Sequence, residues 1–327
     1  MSEQKVGIIG AGLAGLCAAY YLQKAGVLVT VFEKNSFIGG RLGSISNVDD
    51  EEDIGAQYFT LRSPLMLDLL PQWQEMGLVK AWSPRIHVIH DSHSIEKDHR
   101  SVERWVGTPS MVALANYFAP STDIRCDHEV QSIALTKSGE WQLKVRHHGS
   151  LTGFSALLFS LPAPLIGSLL QGVQPHWQQS LEGINFLPTL GARVSFSREP
   201  DLDAAFINHG MARWLANNSS KPGRRQGLRW TLHLDHQWSA QHAHLSTSEA
   251  IELIQRNWQL EHLPGTLESV SPFFWPQAIA LNPPLDFAPW DSELKLGALG
   301  DWHLGGRVEG ALLSGYELSR AVIKSCR

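Results

Sequence analysis

Two short apolar runs, "KVGII" (Lys5 to Ile9) and "VLVTVF" (Val27 to Phe32), flank a stretch in which the apolar positions change period. Between them Leu13, Leu16, Cys17, Tyr20 and Tyr21 recur at three- and four-residue spacing, the repeat of a helix with one buried face. Gly26 stands where a helix C-cap wants a left-handed residue. The pattern predicts strand, helix, strand. Near the other end "LGALG" (Leu296 to Gly300) reads as a strand, and Ala311, Leu312, Gly315, Leu318, Ala321 and Val322 fall on a second helical face.

The middle of the chain is richer in strands. "DIRC" (Asp123 to Cys126), "EVQSIALT" (Glu129 to Thr136) and "WQLKVR" (Trp141 to Arg146), with turns at "KSG" and "HHG", predict a meander. A helix is expected at "TPSMVALANYF" (Thr108 to Phe118), and "ALLFSLP" (Ala156 to Pro162) reads as a buried strand returning to the first sheet. "GARVSFS" and "LRWTLHL" alternate in the period of half-buried strands. These patterns imply an α/β chain with a discontinuous first domain, residues 1–62, 104–170 and 292–327. A second, mixed-sheet α+β domain comprises 63–103 and 171–291.

The turn after the first strand is Gly10-Ala11-Gly12-Leu13-Ala14-Gly15, the pattern GxGxxG. Gly10 permits a tight turn, Gly12 lets a pyrophosphate approach the backbone, and Gly15 lets helix and strand pack closely. The helix start offers free N–H groups and a positive dipole end to the anion. Glu33, at the end of the second strand, is placed to bind ribose hydroxyls and disfavours a 2′-phosphate. The unit therefore fits FAD or NAD better than NADP.

Two further features favour a flavin. Gly39-Gly40-Arg41 follows soon after the ribose acid, with glycines for close approach and a guanidinium for a phosphate. At the C-terminal end Asp301 follows a predicted strand, and "WHLGGRVEGALLSG" leads through Arg307, Val308, Glu309 and Gly310 into a second helix. That helix start supplies N–H groups and positive potential where a reduced flavin gains negative charge.

Composition narrows the classes. Of 327 residues 18% are charged, with a net charge of −5, which excludes the basic footprint of a nucleic-acid binder. "KPGRR" (Lys221 to Arg225), the densest basic cluster, reads as a polar loop. Three separated cysteines, Cys17, Cys126 and Cys326, fit a reducing, cytoplasmic setting. The apolar N-terminal stretch lacks a basic flank and is broken by glycines, so it reads as folded core and not as a targeting segment. No run reaches the ~18 apolar residues of a membrane span. His87, His90 and His93 are evenly spaced, but nothing completes a metal site around them.

Four stretches together resemble the renalase-like FAD-dependent oxidoreductases, a branch of the amine-oxidase superfamily. They are "GIIGAGLAGLCAA", "DIGAQYFTLR", "RWVGTPSM" and "GDWHLGGRVEGALLSG", supported by "WLANNSSKPGR" and "RWTLHLDHQWS". The chain departs from bacterial members where they tend to show His-Arg-Trp. Here the stretch is Pro272-Phe273-Phe274-Trp275-Pro276, and the region after Arg41 is less basic. The resemblance implies a Rossmann-type domain with non-covalent FAD and a hydroxylase- or amine-oxidase-like substrate domain. It implies oxidation of dihydronicotinamide substrates reduced at ring positions 2 or 6 to NAD(P)+, with O2 reoxidising the flavin to give hydrogen peroxide.

Within that frame Gly55 and Ala56 leave room for an isoalloxazine edge, and Gln57 and Tyr58 offer polar groups beside it. Lys34 and Val130 complete the expected cofactor contacts. His233 shares a strand face with Thr231 and Arg229, opposite Trp230, Leu232 and Leu234, and is placed either to roof the flavin or to serve as a satisfied structural histidine. Trp275 matches the family's late tryptophan, or is a packed indole; Trp105 has a weaker claim to the cavity. Tyr58, His233 and Trp275 are expected to orient the nicotinamide ring, and no general base is expected, because hydride transfer removes no substrate proton. The rival readings are an amine oxidase or desaturase, a flavin monooxygenase, and a flavin-binding protein without enzymatic activity.

Overall fold

The computed structural model describes residues 4–47, 50–91, 94–227, 229–260, 263, 265–283 and 287–325. A six-stranded sheet runs Trp290–Asp291, Leu296–Ala298, Ala156–Phe159, Lys5–Ile9, Leu28–Phe32, Asp123–Arg125. All pairings are parallel except that of the two-residue edge strand. The central strands are apolar throughout because both faces are covered. The chain has a mixed α/β fold, as the alternation of periods predicts.

One strand joins a different sheet from the one expected. Asp123–Arg125 pairs in parallel with Leu28–Phe32 and extends the main sheet. The meander consists of Val130–Leu135, Trp141–Val145 and Gly149–Phe154. Thr30 Oγ1 donates to Asp123 Oδ2 at 3.0 Å, a link that local periodicity does not reveal.

Helix Leu13–Lys24 ends as expected, with Gly26 at φ +84° and Val27 N–H bonding back to Leu22 O. Helix Val308–Ser325 lies against it. A Cβ on Gly315 would stand 2.3 Å from Ala14 O, so only glycine allows the helices to come this close. Helix Pro175–Glu182 belongs to a separate core on the other face of the sheet, with Trp177 and Leu181 clustered with Phe32, Trp141 and Phe159.

The second sheet has seven strands, in the order Thr266–Leu281, Asn185–Arg198, Trp230–Leu234, Ala212–Asn217, Ala204–Ile207, Ile86–Asp91, Ser94–Lys97. One face buries Leu190, Val194, Trp230, Leu232 and Leu234 with Ile254 and Trp258 of the helix Thr247–Leu260. The opposite face turns toward the glycine-rich segments and carries the polar and aromatic residues of the site. Among the described residues no helix is long and apolar enough to cross a membrane, and no group of three metal-ligating side chains is present. His90 bonds Glu96 at 3.0 Å, and His93 lies outside the described residues.

Candidate cofactor and substrate site

The first glycine turn has the geometry its sequence demands. Gly10 has φ +101°, and a Cβ there would stand 2.3 Å from Ser160 O. A Cβ on Gly15 would stand 2.4 Å from Gly10 O, the helix–strand contact that only glycine permits. Gly12 is different: its Cβ would meet nothing nearer than Ser160 Oγ at 3.8 Å. The protein leaves that space open, at the start of a helix with no side-chain cap and no acidic residue in its first turn. Uncapped N–H groups beside an open backbone suit a pyrophosphate. Gly12 bridges to Gly39, which brings the Gly39-Gly40-Arg41 turn against the same opening.

Glu33 is buried at the end of the second strand. One carboxylate oxygen accepts the Ala11 N–H at 2.9 Å, and the other accepts the Asn35 backbone and side-chain N–H groups. The carboxylate is thereby fixed at the mouth of the glycine turn, with lone pairs left for ribose hydroxyls.

Arg41, expected from sequence at a phosphate, forms a bidentate ion pair with Asp301, the acid that follows the C-terminal strand. Arg41 also donates to Ala278 O at 3.0 Å. The pair ties the second glycine turn to the C-terminal segment. Glu309, in the first turn of the last helix, accepts the N–H groups of Arg62 and Ser63. Its carboxylate staples that helix to the chain leaving "DIGAQYFT". Gly310 packs against Leu304 O, where a Cβ would stand 2.4 Å away, and Val308 is half-buried. Lys34 and Arg307 are exposed, and Val130 packs partly buried against the meander core.

"DIGAQYFT" is held from both sides. Ile54 and Gly55 N–H groups donate to Gly43 O, and the Ala56 N–H donates to Arg41 O, all at 2.9–3.0 Å. A Cβ on Gly55 would stand 2.1 Å from Arg41 O, so this glycine allows two backbone segments to touch. From the second sheet, His233 Nε2–H donates to Ile54 O at 2.9 Å and Trp275 Nε1–H donates to the same oxygen at 3.2 Å. The Trp275 indole lies on Gly43, whose Cβ would stand 2.8 Å from the ring. His233 and Trp275 therefore meet at one carbonyl. Burial pushes the His233 pKa down to about 4 and the nearby Lys221 charge adds to this, so the ring is neutral at pH 7.

Tyr58 is not part of this pair. Its ring packs between Trp82 and Trp214, at 6.0 and 5.6 Å between centroids, with the Arg104 guanidinium 5.6 Å above it. Trp214 is the cross-strand partner of His233, so Tyr58 lies further along the same sheet face. Trp105 is buried and pairs through its backbone with Phe59. Phe273, in the stretch that departs from the family pattern, lies across Gly191 with its ring edge-on to His233 at 6.0 Å. A Cβ on Gly191 would stand 2.4 Å from that ring.

Beneath the segment lies a buried polar cluster that sequence reasoning misread. "KPGRR" is no exposed polar loop: the Lys221 and Arg224 side chains are 0% and 1% exposed. Both pair with Asp53, itself wholly buried, at 3.0 and 2.7 Å. The other Asp53 oxygen accepts from Ser44 Oγ and Met111 N–H. Lys221 also donates to Gln57 Oε1 and Asn218 Oδ1, at 3.0 and 3.1 Å. Gln57 Nε2 donates to Asp53 O and Gly55 O, which commits the polar atoms that sequence reading offered to the flavin or substrate. Burial alone would raise the Asp53 pKa, but the two cations outweigh it and hold the carboxyl below its usual range. An acidic run beside a turn and a basic run beside a turn each look solvated, and only their pairing across the chain buries them. The one hint was that "WLANNSSKPGR" and "DIGAQYFTLR" belong to the same resemblance.

Residues 8–73 match the model of the NAD(P)-binding Rossmann-like domain. The chain is 46% identical over 69 residues to a 1-hydroxycarotenoid 3,4-desaturase of Flavobacterium sp., across 21% of this chain and 14% of the relative. It is 40% identical over 78 residues to protoporphyrinogen oxidase 2 of Arabidopsis thaliana, across 24% of this chain and 15% of the relative. The chain thus matches only a small part of these relatives' length. Likeness of fold extends much further. A putative protoporphyrinogen oxidase from Exiguobacterium sp. superposes with TM-score 0.79 at 11% identity, covering 99% of both chains. A putrescine oxidase variant superposes with TM-score 0.69 at 13% identity, covering 98% of this chain and 99% of that one. The fold is that of these oxidases, with the Rossmann-like unit at its N-terminal end.

Proposed function

We propose that this chain is an FAD-dependent oxidoreductase, and within that class an oxidase of dihydronicotinamides reduced at ring position 2 or 6. The open space at Gly12, the uncapped helix start beside it and Glu33 fit a dinucleotide cofactor. When bound, FAD supplies two-electron acceptor chemistry, with O2 as the final acceptor and hydrogen peroxide as its product. Gly10 to Gly15 and Gly39 to Arg41 would hold the pyrophosphate, Glu33 the adenosine ribose, and the start of Val308–Ser325 the pyrimidine edge.

The observation that carries the substrate reading is the absence of a poised base in the site wall, among the described residues. Asp53 is consumed by two cations, Lys221 gives its N–H groups to three acceptors, and burial makes the neutral His233 a weak base. A reaction that needs no substrate proton removed, and whose product gains pyridinium aromaticity, suits such a wall. There the residues do positional work: His233 and Trp275 fix the Ile54 carbonyl, and Phe273 and Trp214 supply flat apolar surface on either side of His233.

A second reading is an amine oxidase or desaturase, favoured by the names of the curated relatives and of the putrescine oxidase fold neighbour. Anaerobic stopped-flow at the flavin absorbance band separates the two. The 2- and 6-dihydro isomers should bleach the band rapidly, and ordinary 4-dihydroNAD(P)H and an amine panel should not. Rapid bleaching by an amine with none by the isomers would transfer the assignment to the second reading.

A further inference from the structure

The cluster behind the wall contains an uneven count of charges. Five charged side chains are buried or nearly so around Asp53: the carboxylates of Asp53 and Glu52, the Lys221 ammonium, and the guanidiniums of Arg224 and Arg193. Glu52 takes Arg193 at 3.4 Å, which leaves Asp53 alone against Lys221 and Arg224. Neighbouring cations have partners outside the cluster: Arg41 pairs with Asp301, and Arg104 shares Asp98 with the exposed Arg100. Among the described residues, this leaves the cluster with one more cation than carboxylates. Leaving a charge unpaired there is costly, and in a low-dielectric region its field reaches further than it would in water.

Its location is specific. Lys221 is one side chain removed from the cofactor-facing turn: its ammonium donates to Gln57 Oε1, and Gln57 Nε2 donates to Gly55 O at 3.1 Å. All three Lys221 partners are acceptors, Asp53 Oδ2, Gln57 Oε1 and Asn218 Oδ1, so the geometry is built for the protonated amine. Arg224 also donates to Gly107 O at 2.9 Å, and its buried Nε has no hydrogen-bond partner among the described residues.

We propose that Lys221 is a positioning residue for the Gly55-Ala56 turn, and that the excess positive charge it shares with Arg224 behind that turn favours the reduced, anionic state of a flavin held against it. This rests on the reading that the chain binds FAD. Neither residue is assigned contact with cofactor or substrate; Lys221 acts through Gln57, and both act through the field.

The test uses the purified holoprotein and its flavin midpoint potential, measured by dye equilibration at pH 7. Lys221→Met keeps an unbranched side chain one atom shorter and removes the charge. It should weaken the preference for reduced over oxidised flavin about tenfold, which for a two-electron couple is a shift of about 30 mV to more negative potential. Arg224→Gln removes the other cation and should shift the potential in the same direction, which keeps the test decisive if Lys221→Met does not fold. Lys221→Arg, which keeps the charge, should remain near wild type. An unchanged potential in Lys221→Met and Arg224→Gln, with only the melting temperature lowered, would make the cluster a structural clamp and overturn the proposal. A colourless protein that takes up no added FAD would instead end the cofactor reading itself, so the two failures are distinguishable.

Discussion

The pH dependence of stability offers a direct check on how the wall is built. His233, on the second sheet, places Nε2–H on Ile54 O and has a pKa of about 4, against about 6.5 for an unfolded histidine. Between those values the unfolded chain binds a proton that the folded chain refuses. Unfolding free energy must then rise with pH through the window, at up to 1.36 kcal/mol per unit, and stability is lost as pH falls from about 6.5 toward 4. Over the whole window this one residue accounts for roughly 3 kcal/mol. His233→Gln keeps a donor for Ile54 O and cannot titrate. Urea denaturation of the cofactor-free proteins at pH 7, 5.5 and 4.5 isolates the effect, because contributions from His236, His303 and the carboxylates cancel in the difference. The variant should be less stable than, or equal to, wild type at pH 7 and gain on it steadily toward pH 4.5. A difference that is flat with pH would refute the buried, neutral imidazole and with it the described contact between sheet and wall.

Other consequences follow from the same contacts. Asp53→Asn leaves Lys221 and Arg224 buried without a counter-charge and should cost about 3–5 kcal/mol, read by chemical denaturation. Gly12→Ala should leave the melting temperature of the cofactor-free protein nearly unchanged, since the added Cβ meets only Ser160 Oγ at 3.8 Å, yet it should reduce flavin content per mole of purified protein. Gly15→Ala, with its Cβ at 2.4 Å from Gly10 O, should instead destabilise the fold by about 1–3 kcal/mol. Glu309→Ala strips the Arg62 and Ser63 N–H groups of a charged acceptor and should lower stability by about 1.5–3 kcal/mol in thermal unfolding followed by circular dichroism.

The first strand, glycine turn, helix and second strand were legible because they are contiguous and their rules are local. Period sets the element, a positive φ demands glycine at position 10, and close packing demands glycine at 15. The alternation in "LRWTLHL" likewise assigned Trp230, Leu232 and Leu234 to one face and Thr231 and His233 to the other, because side-chain direction in a strand is fixed by period two. Sequence could not assign Asp123–Arg125 to its sheet, since pairing partners a hundred residues apart leave no periodic trace. It also could not say that Arg41 and Asp301 would meet each other, or that Glu309 would turn to the Arg62 and Ser63 amides. Least visible was the cluster of Asp53, Lys221 and Arg224. A charged residue in a turn is normally solvated, and only the docking of the second sheet onto "DIGAQYFT" removes the water and makes each charge depend on the others. Sequence alone determined the dinucleotide-binding unit; tertiary structure decided what stands behind it, because the free energy of a buried charge belongs to its surroundings and not to its neighbours in the chain.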